Sequence, residues 1–329
     1  MYKLYGALAS PYSQKMRAVL RARQIDHIWV HGQAAMDEAL SSVKAPVIPV
    51  LEYPDGTFAN DTTPLIYDLE KRHTERSIVP DDPVHAFLAH LIEDFADEWL
   101  TKAMFGYRWL EIVDQRQMSV WLAFDSMKGG GLNAIEGFAS RFCERQTGRM
   151  TLVGCTRENF PLIKQSLGCV LDALEAHVAD KHCLFGSRPS LAEFGLFGQL
   201  SQLAVDPTAQ AMMRADYPFT YRWLLHVDDM SGVEGCWGEP EELPPVVIAL
   251  IEEIGRVYVP FLLANSCAEE NGASEFAIEV DGLPYTQGAF KYQVKALGEI
   301  RKRYHALSRV ERDRAEAILQ RCRCMPLFS

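Results

Sequence analysis

No cysteine occurs in the first 142 of the chain's 329 residues. The N-terminal part therefore cannot form a mixed disulfide, which excludes thiol exchange there. The eight cysteines, Cys143, Cys155, Cys169, Cys183, Cys236, Cys267, Cys322 and Cys324, include no Cys-x-x-Cys pair. No second pair at zinc-binding spacing accompanies Cys322 and Cys324, so no metal is expected, and reduced, mostly buried thiols are. No apolar run approaches the ~20 residues that cross a bilayer. The opening residues, Met1 to Gly6, lack the basic, apolar and cleavage regions of a signal peptide. A cytoplasmic protein with no membrane span is the expectation. Positive charge is also scarce: 33 Lys and Arg stand against 44 Asp and Glu, a net charge of -11. Such a chain repels phosphate backbones, so no nucleic-acid partner is expected, although a local basic pocket for a small anion is compatible with it.

What is present is a globular composition, 48% hydrophobic and 23% charged. The length suggests more than one domain. Residues 2 to 5 read as a strand ending at Gly6. Pro11 suits a first helical turn, and Met16, Val19 and Leu20 repeat at helical spacing to about Arg23. His27 to Val30 read as a second strand, giving a β-α-β opening. A polar helix from Ala34 to Ser41 follows. Residues 47 to 59 read as a hairpin turning at Pro54-Asp55-Gly56, and a helix runs from Asp61 or Thr62 to about Arg72. The order is β-α-β-α-β-β-α. Proline inside a central strand argues against that strand, except as a cis-proline at a strand start beside a ligand site.

Residues 77 to 83 have a linker's prolines and polarity. An amphipathic helix over 84 to about 110 follows, then helices at 118–128, 134–147, 158–180, 190–204 and 217–230. Gly129-Gly130-Gly131 reads as a flexible break, not a phosphate loop. Residues 232 to 245, rich in Gly, Glu and Pro, mark a second boundary. A helix from Val246 to Asn265, a hairpin at Asp281-Gly282 and a helix from Gln287 to Ala306 are expected beyond it.

Three segments carry candidate chemistry. Ser10-Pro11-Tyr12-Ser13 places hydroxyls at a helix start, where backbone N–H groups and the helix dipole stabilise an anion such as a thiolate. The bland alternative is an N-cap with a first-turn serine. If Ile48-Pro49 is cis, the backbone N–H and C=O of Ile48 are free to pair with an extended peptide. Asp61-Thr62-Thr63-Pro64 can hold a carboxylate on a hydroxyl and first-turn N–H groups, while Asp61 pairs with an amine. Taken alone, it is an ordinary cap.

Together these segments, with Ile48-Pro49-Val50-Leu51 and Asp61-Thr62-Thr63-Pro64-Leu65 in that order, resemble the glutathione transferase superfamily over residues 2 to 230. Leu184-Phe185-Gly186-Ser187-Arg188-Pro189-Ser190-Leu191-Ala192-Glu193 is similar to the helical-domain element of that family, and its Ser190 and Glu193 form a capping box. The resemblance implies a thioredoxin-like glutathione-binding domain at 1–76 and an all-helical domain at 84–231. A mostly helical extension at 232–329 lies outside it. It implies glutathione as co-substrate without a metal, a small hydrophobic electrophile as second substrate, and a homodimer. It assigns Ser10 as the thiol-activating catalytic residue, with Ser13 and Tyr5 in reserve, and Ser10, Ser13, Ile48, Pro49, Asp61 and Thr62 as the glutathione site. Tyr12, Trp99 and Tyr107 are candidates for the electrophile pocket, with core packing as the alternative for Trp99 and Tyr107, and Asp94 or Glu98 are candidates for the glutathione amine. The lysine that commonly stands two residues before the cis-proline is replaced by Val47, with Lys44 upstream.

The implied activation is modest. Lowering a thiol from ~8.5 to about 6.5 gives about 25-fold more thiolate at pH 7, offset about eightfold by lost nucleophilicity. Most of the rate must come from positioning the electrophile, worth up to ~7–11 kcal/mol. A non-catalytic relative serving interaction or ligand carriage is the alternative, and it need not bind glutathione.

Overall fold

A computed structural model describes residues 1–127 and 130–329. Gly129, part of the glycine run expected to break the helices, lies outside them. The first unit is built from β1 (Tyr2–Tyr5), α1 (Pro11–Ala22), β2 (His27–Val30), α2 (Gln33–Ser41), β3 (Val50–Glu52), β4 (Phe58–Asn60) and α3 (Thr62–Arg72). Its sheet has the order β2-β1-β3-β4. β1 runs parallel to β2 and antiparallel to β3, with Leu4 opposite Leu51. This mixed sheet with helices is the thioredoxin-like arrangement that the resemblance implies. Leu4, Met16, Val19, Leu20, Leu51, Ile66 and Leu69 are fully buried and form its core.

β3 begins at Val50 and not at Val47. Pro46 and Pro49 have no N–H to give a ladder. The Ile48–Pro49 bond is cis. Upstream of it the chain turns on itself: Val47 N–H donates to the Ala45 carbonyl, and Asn60 Nδ2 donates to the carbonyls of Ala45 and Val47.

A helical body follows: α4 (Pro83–Phe95), a π-helical segment Ala96–Leu100, α5 (Thr101–Leu110), α6 (Ile112–Met127), α7 (Leu132–Thr147), α8 (Phe160–Val178), α9 (Leu191–Leu203), α10 (Pro207–Asp216) and α11 (Pro218–Val227). The long helix expected over 84–110 is thus interrupted by one π turn. α9 is buried on nearly every side and packs against both α1 and α4. Its start is fixed by the Ser190–Glu193 capping box. α10 is an addition to the expected elements; a proline at its first position marks its start, as another does for α11.

The last third adds α12 (Pro245–Glu253), a second π-helical segment Ile254–Tyr258, α13 (Val259–Glu270), β5 (Glu275–Val280), β6 (Leu283–Gly288), α14 (Lys291–Ala306) and α15 (Arg309–Arg321). The hairpin turns at Asp281 and Gly282, both at positive φ (52° and 77°), as a tight two-residue turn requires. This segment is not a loose tail. α12 packs on α8, while α14 and α15 pack on α4. Phe87 of α4 meets the rings of Tyr304 and Phe328, Arg314 pairs with Asp82, and Arg303 lies 3.8 Å over the Tyr67 ring of α3. No helix among the described residues is long and apolar enough to cross a membrane.

The closest backbone approach in this packing is at Gly255, where an added Cβ would stand 1.8 Å from the Cys322 carbonyl oxygen. Gly255→Ala must therefore displace the backbone after α15. We expect a loss of about 1–3 kcal/mol of stability, seen as a lower melting temperature and faster proteolysis of residues 309–329. An unchanged melting curve would mean that this contact is not tight.

Candidate functional site

A cavity of about 980 Å³ opens where the first unit, the α4–α5 region and the C-terminal segment meet. This lies at the upper end of ordinary ligand pockets, roughly 300–1,000 Å³. Four sequence-selected residues, Ile48, Pro49, Asp61 and Thr62, line one side of it, and Tyr12 of α1 joins them.

The local reasons are physical. Ile48 is held out of the β3 ladder by the proline after it, and no other described residue hydrogen-bonds its backbone. The N-terminus of α3 has no side-chain cap, so the N–H groups of Thr62 and Thr63 have no partner among the described residues. Asp61, just before α3, has φ 76° and ψ 106°, a conformation that costs a non-glycine residue energy and that clusters at ligand-binding sites.

Thr62 is held in place from beneath. Lys15, on the buried side of α1, donates to Thr62 Oγ1 (3.3 Å), to Asp97 Oδ2 (2.6 Å) and to Glu93. Thr63 Oγ1 donates to Glu93 Oε1 as well (2.5 Å). Lys15 and Glu93 are fully buried. Burial pulls the Lys15 ammonium down, but Asp97 and Glu93 outweigh it and hold the ammonium above its usual value. Burial raises Glu93, yet Lys15 brings it down to about 2. Asp97 is pushed up to about 7, chiefly by burial and against the pull of Lys15. Because Thr62 Oγ1 accepts from Lys15, its own proton remains for a ligand. Sequence reading missed this ammonium, although a lysine four residues before Val19 on the apolar stripe of α1 was the available signal.

The hydroxyls at the start of α1 are not equivalent. Ser10 is the N-cap, its Oγ accepting from Ser13 N–H (3.2 Å), and it does not line the cavity. Ser13 is 0% exposed, its Oγ accepts from Ala7 N–H, and it does not line the cavity. Tyr5 donates to Glu52 Oε2 (2.6 Å) and also stands away from the cavity. Tyr12 lines it, with its hydroxyl donating to the Asp97 carbonyl (2.9 Å). Burial holds this phenol well above its usual range, so it stays protonated.

Two candidates for the electrophile pocket do not line the cavity. Trp99 is 1% exposed, donates Nε1–H to Ser166 and packs against Phe261 and Tyr285. Tyr107 is buried against Phe160, with its hydroxyl on Met212. Both are core, because α8 and the C-terminal segment cover them. Asp94 accepts from Tyr258 (2.5 Å) and is not on the wall, whereas Glu98 is.

The second side of the cavity comes from Glu98, Thr101, Lys102 and Phe105, together with Arg149, Val153 and Cys155. The C-terminal segment closes it with Gln287, Phe290, Tyr292, Gln293 and Lys295. Tyr292 donates to Asp61 (3.1 Å) and Lys295 pairs with it (3.2 Å). Thus the segment reaches across the cavity to the residue expected to meet an amine. Among the described residues, no group of three or more His, Cys, Asp or Glu is placed to hold a metal ion. All eight cysteines are unpaired; Cys155, Cys183, Cys322 and Cys324 are buried, while Cys169, Cys236 and Cys267 are exposed.

Comparison with known proteins adds one firm match: residues 4–77 fit the family model of the glutathione S-transferase N-terminal domain. No curated protein matches the sequence. Among solved structures, a glutathione S-transferase from Rhodospirillum rubrum F11 is similar at 16% identity and TM-score 0.46, over 76% of this chain and 92% of that one. The beta-etherase LigF from Sphingobium sp. strain SYK-6 is similar at 17% identity and TM-score 0.48, over 77% and 99%. A glutathione S-transferase from Methylobacterium radiotolerans JCM 2831, in complex with glutathione sulfonate, is similar at 20% identity and TM-score 0.43, over 72% and 96%. At such scores the assignment rests on the domain match and on the order of its motifs. Residues 4–77 match the glutathione S-transferase N-terminal domain.

Proposed function

We propose that the chain binds glutathione in this cavity and activates its thiol for attack on a hydrophobic electrophile. The observation that supports this most is the convergence on one wall of Ile48, Asp61 and Thr62 with the first turn of α1. In this reading Asp61 receives the γ-glutamyl ammonium. The hydroxyl of Thr62 and the free N–H groups of Thr62 and Thr63 take the neighbouring carboxylate. The backbone of Ile48 pairs with the cysteinyl amide. The thiol then lies at the N-terminus of α1, whose dipole favours the thiolate. Its proton leaves to solvent, the sulfur lone pair forms the new C–S bond, and the electrophile's leaving group carries off the electron pair. Conjugation, cleavage, isomerisation and peroxide reduction all begin from this thiolate.

Tyr12 is the hydroxyl we assign to the sulfur, because it is on the cavity wall and Ser10 is not; on binding, its proton turns from the Asp97 carbonyl to the sulfur. We expect Tyr12→Phe to raise the pKa of bound glutathione toward ~8.5 and to lower kcat/KM about threefold at neutral pH. Ser10→Ala should leave that pKa unchanged while costing ~1 kcal/mol of stability. Ultraviolet titration of the bound thiolate and turnover of a generic aromatic electrophile read both. A raised pKa in Ser10→Ala alone would return the role to Ser10. The reading places the protein in the cytoplasm, where free cysteines stay reduced. A homodimer would pair through a face other than the α3–α4 flank that α14 and α15 cover.

A second reading, a non-catalytic ligand carrier, draws on the engagement of Asp61 by Tyr292 and Lys295. If those contacts are never released, no ammonium reaches Asp61.

A further inference from the structure

The electrophile side of the cavity contains a cation without an anion. Lys102 is 4% exposed and lines the cavity. Its Nζ donates to Gln287 Oε1 (2.5 Å) and to the Val153 carbonyl (3.3 Å), and lies 4.8 Å from the centre of the Phe261 ring. Both acceptors are neutral, and no salt bridge among the described residues includes Lys102. An ammonium has three donors, so one remains. The nearest acid, Glu98, stands one helical turn earlier. Burial, and then Asp97, push Glu98 up to about 7, so it is an incomplete counter-charge. Burial also brings Lys102 down to about 8. A buried cation left without a counter-ion is costly unless an anion arrives to pair with it.

The surroundings agree with an arriving anion. Arg149 adds a second cation at the rim, while Phe105, Val153 and Phe290 supply apolar wall beside it. The other groups facing Lys102 are Cys155, whose thiol burial holds up to about 12, and Tyr285, which carries no charge. We infer that Lys102 is the anion-binding group of the second-substrate side, so that the electrophile accepted there carries a carboxylate, sulfonate or similar oxyanion on an apolar body. Calling that ligand an electrophile rests on the glutathione reading above; the anion site itself does not.

The test compares two fluorescent probes of similar shape, anionic 8-anilinonaphthalene-1-sulfonate and uncharged N-phenyl-1-naphthylamine. Both are titrated into the full chain with and without saturating glutathione. Lys102→Met should weaken the anionic probe by about 10–100-fold, the effect of losing a charged hydrogen bond. It should leave the neutral probe within about twofold, and Lys102→Arg should restore most of the anionic affinity. Equal losses for both probes, or no restoration by arginine, would overturn the proposal. If Lys102→Met does not fold, the wild-type pH profile decides. Anionic affinity should fall as pH rises through about 8 while neutral affinity stays flat, and of the two cavity acids at about 7, Asp97 and Glu98, Glu98→Gln removes the one that acts on Lys102. A flat anionic profile in Glu98→Gln would overturn it too. Separate calorimetry with glutathione alone shows whether the transferase reading has failed independently.

Discussion

Replacing Lys15 by methionine destabilises the chain by about 3–5 kcal/mol, the usual cost of removing one partner from a buried charge network. Glu93 is fully buried and Asp97 nearly so, and Lys15 is the only cation that either one meets in a salt bridge with Lys or Arg among the described residues. The pH dependence has a defined sign. In the wild type, Glu93 sits at about 2, below its ordinary 4.5. The stability it contributes is present above about pH 4.5 and is lost as pH falls through 2. Without Lys15, burial is the largest remaining influence on Glu93 and Asp97, opposed by His90 on the first and Gln199 on the second, and it raises both. The variant then recovers as pH falls, because the acids fold more readily when protonated. Melting curves should show the gap between variant and wild type narrowing from about pH 8 to about pH 5. A triple variant, Lys15→Met with Glu93→Gln and Asp97→Asn, should regain most of the loss, since it leaves no unpaired charge. A constant gap across pH would contradict the network as described. The same triad supports Thr62, so Lys15→Met should also weaken ligand binding at the α3 N-terminus.

Asp61→Asn lowers glutathione affinity about 10–100-fold, the value of a charge-assisted hydrogen bond of ~1.5–3 kcal/mol. Asparagine is the informative replacement because it tolerates positive φ as aspartate does, so the backbone at 76° is kept and only the charge is removed. Lys295→Met is the control. It removes the ion pair between the C-terminal segment and Asp61, keeping the Tyr292 hydrogen bond, while leaving the carboxylate in place. If Asp61 serves glutathione, Lys295→Met binds as well as wild type or better. If Asp61 merely anchors the segment, the two variants lose affinity alike, and the carrier reading gains.

Local signals made the first unit legible. Pro11 at the first position of α1 and the Pro54-Asp55-Gly56 turn, with Gly56 at φ 84°, each have a nearest-neighbour cause. One wall of the cavity was legible for the same reason: the placement of Ile48, Pro49, Asp61 and Thr62 follows largely from backbone geometry, which their own residue types dictate. The opposite wall was not. An aromatic on an amphipathic helix is core or pocket according to what lies opposite, and Trp99 is covered by Phe261 and Tyr285, far away in sequence. Tyr292 and Lys295 reach Asp61 across more than 230 residues, a relation no periodicity encodes. α15 could have been found, since Ser308 and Glu311 form a capping box before it. Its polar composition hides the helical stripe.

Calorimetric titration of glutathione into the wild-type chain, repeated with Asp61→Asn, tests the central claim most directly. The account predicts one site per chain with a dissociation constant in the micromolar-to-millimolar range, weakened about tenfold or more in the variant. No binding to the wild type at several millimolar glutathione would contradict it. Binding that Asp61→Asn leaves unchanged would put the ligand outside the cavity described.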